Sequence, residues 1–443
     1  MSESLIVEYR LERDYIKKNS VDEEISGVLS IYPNKNFFKN KIETNNDLVF
    51  ILDTSGSMDD KFYNTRKTKR DILIEAMENV LKVINSKDTV TIISFNSNAV
   101  IHANHLPGGA VGKIKEAIKK LRNDNGATNF EAAMKTAKIA VKNAKNINTK
   151  IIFLTDGESV TGSNKNALVI ADQLAKSGIT MDAMGIGGDF NFDYMRQYSE
   201  LSNGLTENIT DIKKARIVFT KIVKNVRKVA MKRVFLNFIF NKSLRDLAFY
   251  QISPEQRILT SKISKIGKDM GIGLNVGDLE WDSQKEFLFT ANLTTNSEDS
   301  IKISEALLNY DIPDKNLDNQ EEELQVYLNL SNNIKDEVFD SAVSNYKKET
   351  SLLVNYEEVK DLNQKNKPIE AIKKLEKMVA VAKKIGATDK AKTYIVFIEK
   401  LKKTNRLTQE DLNNLSYESS RGSKISMRER NSIVSENKDD SLM

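Results

Sequence analysis

Cysteine is absent from the 443 residues. That excludes disulfides, structural Cys–zinc sites and thiol chemistry, and leads us to expect a reducing, cytoplasmic setting. Histidine is nearly absent too. His102 and His105 flank a turn near Pro107, Gly108 and Gly109 and read as a solvated loop pair. Histidine catalysis therefore has little material. No stretch approaches the roughly 18 consecutive apolar residues of a membrane span. The first twenty residues carry Glu3, Glu8, Glu12 and Asp14 and lack the apolar centre of a signal peptide. Net charge is only +5 over the whole length, too dilute to suggest a nucleic-acid surface. With 40% hydrophobic and 29% charged residues, the chain fits an ordinary globular protein of more than one domain.

Against these absences, one stretch stands out. Residues 48–52 are wholly apolar, as suits a strand buried on both faces. The run then breaks into Asp53, Thr54, Ser55, Gly56 and Ser57, small oxygen-bearing residues just past the strand's carboxyl end. In open α/β sheets ligands bind at that edge. Asp53, Ser55 and Ser57 alternate, so in an extended loop their side chains can converge. A carboxylate and two hydroxyls suit magnesium or another hard divalent cation. A later Gly-led loop, 126–130, adds Thr128 ahead of a predicted helix, and a second apolar strand, 151–155, ends in Asp156 and Gly157.

This order, Asp-x-Ser-x-Ser, then a Thr loop, then a strand ending Thr-Asp-Gly, resembles the von Willebrand factor A (vWA) domain and its metal-ion-dependent adhesion site. Asp53, Ser55, Ser57, Thr128 and Asp156 match the five positions of that site. Residues 181–195 look like the late strand and helix of such domains, so the resemblance covers 46–227. It implies a bound Mg2+, with Mn2+ or Ca2+ as alternatives, and a protein partner that presents an Asp or Glu. The competing reading of the same residues is a network of caps and turns with no metal. Asp59 and Asp60 read as solvated loop or helix-start charges rather than extra ligands, and the basic run 66–70 as a solvated rim beside the site, with help for an acidic partner as its second reading.

The rest of the pattern divides the chain. Residues 4–11 and 24–32 read as strands, the second with a possible bulge near Gly27. From 46 to 228, strands alternate with helices (71–84, 111–121, 129–144, 167–177, 192–201 and 211–229), the mark of a doubly wound, mostly parallel sheet. Strands at 234–240, 247–252, 270–276, 286–293, 306–312 and 323–330 suggest a β-sandwich over 229–332. Two N-terminal strands are not stable alone, so we expect 1–45 to pair into this sandwich and the vWA domain to be inserted in it. The alternative is a separate hairpin covering one edge. Helical periodicity over 333–415 predicts a bundle, with Pro368 opening one helix and Gly386 stopping it. The composition of 416–443 predicts a disordered tail, in which Ser423, Ser426 and Ser432 have basic neighbours suited to a kinase; a plain solubilising tail is the simpler reading.

The predicted class is thus α/β with an inserted vWA domain, and the predicted activity is a metal-dependent protein-binding scaffold. A soluble vWA-plus-sandwich order is similar to calcium-activated-channel-like proteins, though nothing here supports a channel. A second reading is an accessory subunit of an AAA+ ATPase, encoded elsewhere. A third is metal-assisted hydrolysis using Asp53 and Asp156. No Walker loop and no nucleophile–base pair accompany them, so no enzymatic activity is expected.

Overall fold

The computed structural model describes residues 4–422 apart from 39–44, 64, 124, 143–147, 158, 161, 189 and 334–337. Asp189, Glu158, the predicted element ends at 143–144 and 334–337, and the tail serines Ser423, Ser426 and Ser432 lie outside the described residues. The chain opens with β1 (Leu5–Leu11), the short β2 (Tyr15–Lys17) and β3 (Glu23–Pro33). β1 and β3 pair antiparallel in unbroken register from Leu5 opposite Pro33 to Leu11 opposite Gly27. No bulge forms at Gly27. A side chain there would meet Tyr9 Oη at 2.6 Å and Phe289 Cε1 at 2.7 Å, so the glycine admits two rings.

The next element is β4 (Asn46–Asp53), every residue of which is buried. Helix α1 (Lys69–Val80) follows, with Thr68 and Asp71 forming a capping box. β5 (Thr89–Phe95), β6 (Ala99–Pro107), α2 (Val111–Lys120), α3 (Phe130–Val141), β7 (Asn148–Thr155), α4 (Ser163–Lys176), β8 (Thr180–Ile186), α5 (Phe192–Leu201), β9 (Thr206–Ile209) and α6 (Ile212–Val226) complete the unit. The sheet order is β6-β5-β4-β7-β8-β9, parallel except for the antiparallel edge strand β6. Successive residues of β4 face opposite ways. Leu48, Phe50 and Leu52 join the core under α1, α2 and α6, while Val49 and Ile51 join the core under α3, α4 and α5. This two-sided burial explains the unbroken apolar runs.

β6 and β9 carry no apolar run and were not expected. His102 and His105 consequently sit in strand β6 rather than in a solvated loop. His105 bridges the Asp47 carboxylate and the Ala140 carbonyl, at 2.9 Å each, and His102 meets Ser94 Oγ at 2.7 Å.

β10 (Val229–Phe240), β11 (Leu244–Ser253), β12 (Arg257–Ile258), β13 (Ser264–Ile266), β14 (Asp269–Glu280), β15 (Lys285–Leu293), β16 (Ser300–Ile312) and β17 (Leu317–Ser331) follow. They form two sheets, ordered β1-β3-β15-β11-β12 and β13-β14-β10-β16-β17-β2. Both line one apolar core that joins Ile25, Leu29 and Phe289 to Phe238, Leu308 and Leu328. β3 lies between β1 and β15, so the N-terminal strands are integral to a sandwich and the α/β unit interrupts it in sequence.

The last helices are α7 (Ser341–Gln364), α8 (Pro368–Lys384), α9 (Thr388–Thr404) and α10 (Gln409–Ser420). They share a core of their own through Leu353, Leu375, Tyr394 and Leu415. α7 also seats Val343 and Tyr346 against Val28 and Leu288 of the sandwich. The expected disorder from 416 onward is wrong for 416–420, which close α10. Ser416, Ser419 and Ser420 are buried because small side chains let the helix approach closely, and Tyr417 meets Phe192 edge-on at 6.0 Å. Arg421 then ties this end to Glu207 (3.0 Å) and Glu255 (3.2 Å). Composition alone misread a stretch that is ordered by tertiary contact.

Candidate metal centre

The five residues singled out in the sequence come from three loops at the carboxyl edge of the parallel sheet. Asp53 ends β4 and Asp156 follows β7 directly, and these two strands are hydrogen-bonded neighbours. Both carboxylates are fully buried; Ser55 and Thr128 are buried and Ser57 is half-buried. Asp53 accepts from the Ser55 amide at 2.8 Å and from the Thr155 hydroxyl, which fixes its orientation. Ser57 Oγ donates to Asp156 Oδ1 at 2.8 Å and lies 3.2 Å from Ser55 Oγ. The Thr128 and Ser57 hydroxyls lie 3.9 and 4.0 Å from the point where a Cβ on Gly157 would sit, so both face one spot and the glycine leaves it open.

The loops are stitched by backbone bonds. Gly56 N–H donates to the Gly126 carbonyl at 3.0 Å, and Val160 N–H to the Thr128 carbonyl at 2.8 Å. Asn129 caps α3 by accepting from the Ala132 amide, which fixes the turn that carries Thr128. Phe130, at the start of α3, and Phe153, on β7, meet edge-on at 5.1 Å in the core and pack these two elements together.

Burial, followed by the neighbouring Asp156 carboxylate, pushes Asp53 up to about 6. A cation between the two acids would relieve that repulsion. Among the described residues no group of three or more His, Cys, Asp or Glu gathers to hold a metal. A cation here would therefore rely on hydroxyl oxygens beside two carboxylates, a donor set suited to a hard ion such as Mg2+. The residues fit the group.

Only part of the basic run 66–70 is a solvated rim: Arg66 and Lys67 are exposed, but the last two residues are not. Lys69 and Arg70 are buried. Lys69 Nζ donates to Asp156 Oδ2 at 2.8 Å. Arg70 donates to the carbonyls of Leu121 (2.7 Å), Thr54 (3.2 Å) and Ser55 (3.3 Å), and pairs with Asp59 at 2.7 Å. Asp59 stays solvent-exposed, as expected of a loop charge, while pairing with Arg70. The sequence held a signal for these roles. Lys69 and Arg70 occupy the first turn of α1, where the helix dipole disfavours cations by about 0.3–1 kcal/mol. Cations in that position point to buried acceptors nearby.

Comparison with known proteins supports a vWA domain in the chain. The family model described as the von Willebrand factor type A domain matches residues 48–158, and the chain carries such a domain. An uncharacterized protein of Synechocystis sp. is 24% identical over 273 residues, 60% of this chain and 62% of that protein. Inter-alpha-trypsin inhibitor heavy chain H2 of Mesocricetus auratus is 23% identical over 204 residues, 43% of this chain and 21% of that one. The chain thus spans less than two thirds of the length of either relative.

Among solved structures, a von Willebrand factor type A protein from Catenulispora acidiphila superposes with a TM-score of 0.76 at 17% identity, covering 96% of this chain and 98% of that one. The ArnB paralog VWA2 from Sulfolobus acidocaldarius gives 0.54 at 14% identity, covering 94% and 98%. The likeness is one of fold. It extends past the vWA domain to the added sheets and helices.

Proposed function

We propose that this chain is a protein-binding scaffold that captures an acidic residue of a partner at a Mg2+ held by Asp53, Ser55, Ser57, Thr128 and Asp156. vWA domains generally mediate protein–protein interactions, and the observation that carries the finer reading is the convergence of these five side chains on one opening. Two buried acids end adjacent strands, the Ser55 and Ser57 hydroxyls follow Asp53 on its own loop with Ser57 reaching Asp156, and Thr128 meets Ser57 beside Gly157. Magnesium bound there, or manganese or calcium in its place, would offer a Lewis-acidic position to a partner's carboxylate. Asp53 and Asp156 supply the negative charge, and the hydroxyls fill positions without adding more. Arg70 holds the Thr54 and Ser55 carbonyls and so sets the loop that presents Ser55 and Ser57. No enzymatic step is part of the proposal.

The test is a pull-down with and without EDTA, using the wild-type protein, Asp53→Ala and Thr128→Ala. Partner capture that depends on Mg2+ and is lost in both folded variants supports the reading. Full capture in EDTA counts decisively against it. Stoichiometric recovery of an AAA+ ATPase, indifferent to both substitutions, would favour the accessory-subunit alternative. Substrate turnover lost in Asp53→Ala would favour the hydrolase.

A further inference from the structure

Asp156 divides its two oxygens between different neighbours. Oδ1 accepts from Ser57, on the side of the hydroxyl cluster, and Oδ2 accepts from the buried Lys69 ammonium. The ammonium is therefore positioned to stay in place while a cation takes the Ser57 side. Lys69 is 4% exposed, and its aliphatic stem runs beside Gly187, where an added Cβ would meet Lys69 Cε at 3.0 Å. The nearby Arg70–Asp59 pair is internally balanced and leaves the tally unchanged. Among the described groups bonded at the site, Asp53 and Asp156 bring two negative charges and Lys69 one positive. A divalent cation would turn this excess of one negative charge into an excess of one positive.

From this arrangement we propose that Lys69 is a resident second cation that sets the balance between the two ligands, weakening the metal and strengthening the hold of the metal-loaded site on an acid. This rests on the proposed metal site and adds a role for a residue outside the five. The ammonium repels the incoming metal and so weakens its binding. Once the metal is in place, the same charge leaves the site positive until a partner's carboxylate arrives. Lys69 thus acts with opposite sign on the two ligands. Removing its charge tightens the metal and loosens the acid. By linkage, the effect of the acid on the metal equals the effect of the metal on the acid.

The experiment uses the full chain with Mn2+ followed by electron paramagnetic resonance, and acetate as the carboxylate probe. The set is the wild-type protein, Lys69→Met, Lys69→Gln as a second neutral variant, Lys69→Arg and Asp53→Ala, each checked for a cooperative melt. Lys69→Met or Lys69→Gln is expected to bind Mn2+ about tenfold tighter than wild type, the scale of one nearby charge in a partly screened site. At one fixed, subsaturating concentration, acetate is expected to strengthen Mn2+ binding in wild type and Lys69→Arg, and to do so several-fold less in the neutral variants, whose metal-loaded site holds the acid more weakly. Unchanged or weaker Mn2+ binding in the neutral variants overturns the proposal. So does tighter Mn2+ with undiminished acetate coupling, which would make Lys69 a mere competitor for the metal. If wild type binds Mn2+ and Asp53→Ala does not, failure of the Lys69 variants sinks this inference alone. If wild type takes up no Mn2+, both fall.

Discussion

Replacing Arg70 by Met removes the guanidinium but keeps a stem of similar length, so the loss is polar rather than steric. Four partners lose their donor. The Asp59 pair counts for little, because that carboxylate is 53% exposed and water replaces the bond. The carbonyls of Leu121, Thr54 and Ser55 are different, since all three residues are buried. A buried carbonyl left without a donor costs about 1–3 kcal/mol. The exposed Gly56 beside Ser55 gives water a route to one of them, so with two left unsatisfied we expect a total loss of about 2–6 kcal/mol. Urea denaturation at constant m measures it. Arg70→Lys, with one flexible ammonium, should recover about half by satisfying one or two carbonyls. Affinity for Mn2+ should fall along the same series, as the Ser55–Ser57 loop loses its anchors. If Arg70→Met were within about 0.5 kcal/mol of wild type, the scatter of ordinary surface substitutions, Arg70 would not be what holds the loop.

Other consequences are simpler. Gly27→Ala drives a methyl into Tyr9 and Phe289, both held in the sandwich, and should cost about 1–3 kcal/mol in the same assay; a neutral result would mean that the rings move freely. Arg421→Ala removes one partner of the buried Glu255 and should destabilise by about 3 kcal/mol, with the residual Glu255–Arg257 bond at 2.9 Å limiting the damage. An unchanged melting temperature would contradict the docking of α10. Burial pushes Glu255 up, but Arg421 and Arg257 outweigh it and hold the carboxyl below its ordinary 4.5. The folded state thus keeps this acid ionised where the unfolded chain protonates. Its contribution is full above the ordinary value and is lost as pH falls toward the lowered one. Stability measured downward from pH 5 should fall less steeply in Glu255→Gln than in wild type; parallel curves would refute the assignment.

The inner strands of the central sheet were legible because they are buried on both faces and carry continuous apolar runs, 48–52 in β4 and 151–154 in β7. β6 and β9 were not, because edge strands carry mixed residues and their pairing is set by neighbours. The five candidate ligands were legible because each follows a recognisable strand or opens a helix. Lys69 and Arg70 were hidden by composition, since a run of basic residues ordinarily faces water. Only their place at a helix N-terminus, against the dipole, hinted otherwise. The serines of 416–420 read as tail for a related reason. Small polar residues look solvated in a string, yet here they admit close contact between α10 and the vWA domain.

The most direct test of the metal site is the anomalous signal from crystals soaked in Mn2+. The account predicts one strong peak between the 53–57, 128 and 156 loops in wild type and none there in Asp53→Ala. A wild-type crystal with no peak at that point, or with manganese bound only elsewhere, would contradict it.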